Sequence, residues 1–332
     1  MRPKTLLKYL PKAIHNNWAV LLTGAPGGGK TDVITEAIHA SGADLILSHP
    51  VVNDPTDYKG LPFQTNIDRA DFLPYGDLYK LMHVTKKTVF FTDDIGQASI
   101  SVQAALMQLF LSRQINGHRV PDHVVFMGAT NRAQDLAGVV KFITPLKSRF
   151  YTILRFDIHV DDWVNWAILH DMPAELIAFV KFKPGIFDER KPSKDIVNDV
   201  SPRTLFHVGE QQKVGLDDDE EAEVYAGAAG EAFAAEYMTF LQLYRQLPNP
   251  DDIIASPRKA EVPSDPALLY AITGGLARKM TSGNMGSVIT YLDRVPPEYA
   301  VYCMTDATRR NIELTSNQEY AFWATKYQKA II

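Results

Sequence analysis

Apolar residues fall in short unbroken runs along the first half of the chain and at helical spacing along the second. Trp18–Thr23, Asp44–Ser48, Thr88–Thr92, His123–Gly128 and Thr152–Phe156 each read as a strand. The run at 88–92 (Thr-Val-Phe-Phe-Thr) shows no polar alternation, as expected of a parallel strand covered on both faces. Thr31–Ala40 reads as a helix. So does Ala98–Arg113, with Ala105, Leu106, Leu109 and Phe110 at helical spacing. Strands alternating with helices predict a parallel sheet sandwiched by helices. Residues 1–17 form a short amphipathic lead-in. The Pro- and Asp-rich stretch from His49 to Tyr75 carries turn signals at Asp54-Pro55 and Leu61-Pro62.

From Asp161 the strand signals stop, and segments 161–182 and 202–213 read as helices. The acidic run 217–221 marks a joint and a solvated helix start, where carboxylates are favourable. A long helix then runs to about Gln246 with Phe233, Tyr237, Phe240 and Tyr244 on one face. That stripe reads as core packing, with a partner contact as the alternative. Pro248 to Pro266 is a breaker-rich loop, and helices resume to the C-terminus, split at Pro296-Pro297.

One run carries chemistry. Gly24-Ala25-Pro26-Gly27-Gly28-Gly29-Lys30-Thr31 matches the phosphate-loop pattern Gly, four residues, Gly-Lys-Thr, between a strand and a helix. Glycines let the backbone curl so that N–H groups point at phosphate oxygens, and the following helix adds its positive end. Lys30 is expected to reach the β- and γ-phosphates of ATP, and the Thr31 hydroxyl to ligate Mg²⁺. The expected nucleotide-binding set is Gly24, Pro26, Gly27, Gly28, Gly29, Lys30, Thr31 and Asp32. The competing reading is a Gly-rich turn bearing a surface lysine.

Asp93 and Asp94 end a buried strand, where ligands bind in parallel sheets. Asp93 is expected to hold Mg²⁺ and Asp94 to polarise the attacking water, the alternative being two helix caps. Asn131 ends the next strand and could share that water, or be a turn residue. Arg149 lies between an apolar helix end and a strand. Arg203 follows Ser201-Pro202 at a helix start, with Ser201 a plausible cap. A guanidinium suits developing phosphate charge, although each arginine alone reads as a surface ion pair. Their order after the strand motifs is what singles them out.

Bulk composition narrows the classes. The chain has 332 residues, a formal charge of −5 and one cysteine. Cys303 alone excludes an internal disulfide framework and fits a reducing compartment. No apolar run approaches membrane-spanning length, and the start Met1-Arg2-Pro3-Lys4 lacks signal-peptide features; a cytoplasmic protein is expected. The mild charge counts against nucleic acid as a partner, and Lys86-Lys87 and Arg113 with Arg119 read as solvated faces. The nine histidines and lone cysteine lack zinc-ligand spacing.

The order of phosphate loop, paired acids, Asn131, Arg149-Phe150 and Ser201-Pro202-Arg203 resembles AAA+ ATPases, and the MoxR family within them. Asp54-Pro-Thr-Asp57-Tyr-Lys-Gly60 resembles that family's segment between second strand and insert. Thr92-Asp-Asp-Ile-Gly-Gln-Ala98 resembles its Leu-Asp-Glu-Ile-Asn-Arg-Ala run, and Gln114-Ile-Asn-Gly117 its short hairpin. The resemblance covers about residues 5–212. It implies an AAA+ large domain over 1–156 and a small helical lid over 157–216; residues 217–332 are read as a helical extension. It implies Lys30 and Thr31 as the first Walker motif, Asp93 and Asp94 as the second, and Asn131 as first sensor. Arg149 would be a finger acting on a neighbour's nucleotide and Arg203 the second sensor. A homo-oligomer, normally a hexameric ring, follows. A partner bearing a von Willebrand factor A-type domain and protein clients to remodel or activate follow as well.

This chain departs from the pattern at Asp94, where the family has Glu. The carboxylate falls short by about one C–C bond, ~1.5 Å, and a misplacement of about 1 Å can cost ~10²-fold in rate. Slow hydrolysis is therefore expected. Gly96 and Gln97 replace the family's Asn-Arg. The expected function is an ATP-driven protein remodeller. The alternatives are an ATP-dependent motor or loader on nucleic acid, and an ATP-gated scaffold that hardly hydrolyses.

Overall fold

The alternating runs of the first half pair into one sheet. The computed structural model describes residues 1–135, 138, 142–188 and 195–327; the helical expectation for 328–332 lies outside them. One compact unit is built on Met1–Ile158 and a second on the chain from His159 onward. The first unit runs α1 (Pro3–His15), β1 (Val20–Gly24), α2 (Lys30–Ala40), β2 (Asp44–Ser48) and α3 (Pro55–Lys59). It continues through a hairpin of β3 (Leu61–Asn66) and β4 (Arg69–Leu73), then α4 (Gly76–Met82), β5 (Thr88–Thr92) and α5 (Ile100–Ser112). A small hairpin of β6 (Gln114–Ile115) and β7 (His118–Arg119), β8 (Val124–Asn131), α6 (Thr144–Lys147) and β9 (Thr152–Arg155) complete it.

The five-stranded sheet has the order β2-β5-β8-β1-β9, every pairing parallel. Successive side chains alternate between its faces. Val89, Phe91, Val125 and Met127 meet Leu6 and Leu10 of α1 and Ile34 and Ile38 of α2. Phe90, Val124 and Phe126 meet Leu81 of α4 and Val102, Leu106 and Leu109 of α5. The unbroken apolar runs are thus strands with a helical layer on each face, as expected. The amphipathic lead-in is α1, whose apolar side closes one layer.

The stretch 49–75 is more ordered than its turn signals imply. Asp54 caps α3, accepting from the Thr56 N–H, and Pro55 opens the helix, where its missing N–H costs nothing. Pro62 lies in a two-stranded hairpin, where a strand edge tolerates it.

The second unit is all helical among the described residues: α7 (Val160–Leu169), α8 (Ala174–Phe182), α9 (Pro202–Val214), α10 (Asp218–Ala229) and α11 (Glu231–Arg245), then α12 (Pro250–Ala255), α13 (Pro266–Lys279), α14 (Met285–Leu292), α15 (Pro297–Arg310) and α16 (Gln318–Lys326). The segment 161–182 is two helices because Pro173, without an N–H, ends one and caps the next. The long helix expected to end near Gln246 also breaks, at Gly230, whose φ of 96° is open to glycine. Phe233, Tyr237 and Phe240 are buried around Phe179, with ring centroids 5.7, 5.1 and 5.4 Å away. The aromatic stripe is therefore core. One core runs from Val160 to Ala271, crossing residue 216, and another from Ile253 to Tyr327. No helix of the described residues is long and apolar enough to cross a membrane.

Asp306 of α15 is buried and pairs with Arg310 at 2.9 Å. Burial pushes its carboxyl above the ordinary value of 3.8, and Arg310 opposes the shift. The folded chain holds this proton where the unfolded chain has released it. The group's stabilisation is complete below the unfolded value and is lost as pH rises through the folded one. The melting temperature of wild type minus that of Asp306→Asn should therefore fall as pH rises above the ordinary carboxyl value of 3.8. A flat difference would remove Asp306 as the source.

Candidate nucleotide site

In a parallel sheet all strand carboxyl ends lie along one edge. The register sets Thr92 beside Gly128 and Gly24 beside Asn131. The loop after β1, the acids after β5 and the end of β8 therefore converge. The polar residues Thr130 and Asn131 continue β8 beyond the apolar run, because β1 pairs with them as far as Gly24.

Within the loop, Gly27 and Gly29 have φ of 68° and 94°, the curl that turns backbone N–H groups inward. A Cβ on Gly24 would stand 2.9 Å from Phe156 Cβ, so the loop leaves β1 too close to its neighbour for a side chain. Lys30, at the start of α2, is only 6% exposed. Its ammonium donates to Gly24 O at 3.2 Å, Ala25 O at 2.9 Å and Asn131 Oδ1 at 2.7 Å. It is not a surface lysine. Pro26 is half-buried, Gly28 buried, and Asp32 exposed in the first turn of α2.

Thr31 Oγ1 donates to Asp93 Oδ2 at 2.7 Å, and Asp93 Oδ1 accepts from the Asp94 N–H at 3.0 Å. A hydroxyl and a carboxylate in contact at a phosphate loop are hard oxygen donors. They fit Mg²⁺, which takes few protein ligands and completes its shell with water and phosphate. Asp94 Oδ1 accepts from Asn131 Nδ2 at 3.1 Å and from Gln97 Nε2 at 2.8 Å. Lys30, Asn131, Asp94 and Gln97 thus form one hydrogen-bonded chain. The acids do not cap the next helix: Ser99 caps α5, accepting from the Val102 N–H.

Asp94 has φ 54° and ψ 32°, the left-handed region, which Asp tolerates better than most residues. A 3₁₀ turn, Ile95–Gln97, follows and is seated on β8. A Cβ on Gly96 would lie 2.1 Å from Thr130 Oγ1. Nearby, Ser48 at the end of β2 meets the Tyr58 hydroxyl at 2.8 Å. Burial pushes that phenol up to about 12, and it stays protonated.

Arg149 stands elsewhere. It precedes β9, whose Thr152 pairs with Val20 at the start of β1. Roughly 15 Å of strand, at about 3.3 Å per residue, separates it from the loop. Its Nη1 reaches Ser148 Oγ at 3.3 Å, and its Nε is buried without a partner among the described residues. Arg203 belongs to the second unit, exposed in the first turn of α9, where Ser201 and Thr204 form a capping box. Sequence reasoning missed the part of Gln97. The available signal was its spacing three residues after Asp94, one 3₁₀ turn.

No family model matches the chain, and no curated protein matches it. Among solved structures, it is similar to a point mutant of RuvB from Thermotoga maritima (20% identity over 82% of this chain and 81% of that one, TM-score 0.45). The Thermotoga maritima RuvB Holliday junction branch migration motor is similar at 20% identity over 82% and 80%, TM-score 0.43. NtrX from Brucella abortus, solved with ADP, is similar at 14% identity over 98% and 68%, TM-score 0.44. Likeness at this level leaves activity to be argued from the site's own geometry.

Gly96→Ala should destabilise the protein by about 1–3 kcal/mol, the usual cost of forcing atoms into a packed core. Thr130→Ala in the same chain should recover most of the loss by removing the clashing hydroxyl. Denaturant unfolding of the single and double variants checks this; equal stability of both would refute the contact.

Proposed function

We propose that this chain is a MoxR-like AAA+ ATPase that binds and hydrolyses Mg-ATP in an oligomeric ring, hexameric by resemblance, to remodel or activate protein clients. The observation that carries the reading is the hydrogen-bonded chain from buried Lys30 through Asn131 to half-buried Asp94, beside the Thr31–Asp93 pair. Each member has a task in phosphoryl transfer. The loop glycines and Lys30 bind the phosphates, and Asp32 lies in the same helix turn. Thr31 and Asp93 would hold Mg²⁺, which supplies charge neutralisation on the β- and γ-phosphates. Asp94 takes a proton from the attacking water, and Asn131 keeps both Lys30 and Asp94 oriented.

Arg149 is proposed as a finger acting on a neighbouring subunit's nucleotide. Its place at the other end of the sheet supports this, because it cannot reach its own loop. Arg203 is proposed as the second sensor. We take residues 1–156 as the nucleotide-binding domain, 157–216 as the lid and 217–332 as the extension. A von Willebrand factor A-type partner, protein clients and a cytoplasmic setting belong to the same proposal. A second reading, an ATP-gated scaffold, is favoured by one observation: Asp94 stands where the family it resembles has the longer Glu.

The test is ATP turnover against protein concentration, with particle mass read on the same samples. Turnover per subunit should climb as rings form. Arg149→Ala should lose ~10³–10⁵-fold where the finger is fully engaged while still binding ATP, and Lys30→Ala should lose binding. Turnover proportional to protein, with Arg149→Ala unaffected, would sink the ring mechanism. Assembly on Mg-ATP without turnover would favour the scaffold.

A further inference from the structure

We propose that Gln97 is the positioning residue for Asp94 and makes the shorter acid usable as the group that activates water. This rests on the ATPase reading above. Three observations carry it. Gln97 Nε2 lies 2.8 Å from Asp94 Oδ1, closer than Asn131 Nδ2 at 3.1 Å. The other end of the same amide, Gln97 Oε1, is buried without a partner among the described residues. The amide cannot simply be turned over, since that would set Oε1 against a carboxylate oxygen, two acceptors face to face. Its orientation is therefore dictated by Asp94, with Oε1 left without a partner among the described residues.

The third observation is the seat of the turn. Gly96 lies against Thr130, the residue before Asn131, closer than any side chain could. The turn Ile95–Gln97 is thereby pressed onto β8, and Gln97 returns over Asp94. Gly96 and Gln97 work as a pair, the first permitting the approach and the second using it. A glutamate would carry its carboxylate one methylene further. Asp94, at left-handed φ, depends on its donors for a defined place. Among the described residues both donors bind Oδ1, which leaves Oδ2 to take the proton from water. Water and ATP give ADP and inorganic phosphate, and the proton passes from Asp94 to solvent.

The full chain should be compared with Gln97→Met, which keeps side-chain volume without the amide, and with Gln97→Ala, read in the same way should the first not fold. Asp94→Glu and Asp94→Glu/Gln97→Met complete a cycle. The readouts are kcat, KM for ATP, affinity for a fluorescent ADP, and melting temperature. We expect Gln97→Met to lower kcat by about 10–100-fold, with KM and ADP affinity within about twofold. In the Asp94→Glu background the penalty should shrink to under about threefold. An unchanged kcat, a parallel loss of ADP affinity, or the same penalty in both backgrounds would overturn the positioning role and leave the ATPase reading intact. A wild-type chain that binds Mg-ATP without turnover would overturn both.

Discussion

An ammonium taken out of water must be given oxygen, and among the described residues Lys30 donates to these three. Two are carbonyls of its own loop, Gly24 and Ala25, and the third is the side chain of Asn131, on another strand. A buried charge left short of partners is expensive. This contact therefore ties the loop's curl to the length of β8. Were β8 to end with its apolar run at Gly128, Asn131 would not stand beside Gly24 and the ammonium would lose its nearest acceptor. The parallel register between β1 and β8 is what makes a buried lysine tolerable here.

The same asparagine passes the constraint on. Its oxygen is engaged by Lys30, so its amide must face outward, and it donates to Asp94. Asp94 in turn sits between strand and 3₁₀ turn in a conformation that most residues avoid. The backbone there is held by Asp93 accepting from the Asp94 N–H and by Gly96 against Thr130. Strain at this residue is offset by the site's other acid and by the packing of Gly96 on Thr130, which has no chemical part in the site. Asn131 thus touches both the lysine of the β1 loop and the acid after β5, from the strand that lies between them.

The helical unit is organised differently, by punctuation and burial. Gly230 and Pro173 interrupt apolar patterns that would otherwise run on, and each break lets two helices fold back on a shared core. Phe179 lies at the centre, with aromatic residues of α11 around it. Glu221, only 4% exposed, is met by Arg245 Nη2 at 2.6 and 2.7 Å, joining α10 to α11 across the glycine. With Glu221 buried and Arg245 half-exposed, the pair mainly selects one arrangement of the two helices, since desolvation of the carboxylate offsets much of the attraction.

How much was legible in the amino-acid order follows from how local each determinant is. Strand runs, the Gly-Lys-Thr loop and the residues at strand ends depend on neighbours within a few positions. The layered α/β sheet with helices after it, and the candidate residues from Gly24 to Asn131, could therefore be read directly. Turn residues were ambiguous, because Asp-Pro serves a helix cap as well as a loop; 55–59 and the hairpin 61–73 emerged only with their pairing. The Gly230 break was written in the chain but hidden by the alanine-rich run before it and the apolar stripe after it. What only tertiary structure decided are contacts between distant positions. Lys30 and Asn131 are 101 residues apart, and the fit of Gly96 against Thr130 is set by register. Even Gln97, three residues from Asp94, takes its orientation from the seat of its turn on β8. Residue type supplied the chemical groups; the sheet's parallel register decided which of them face each other.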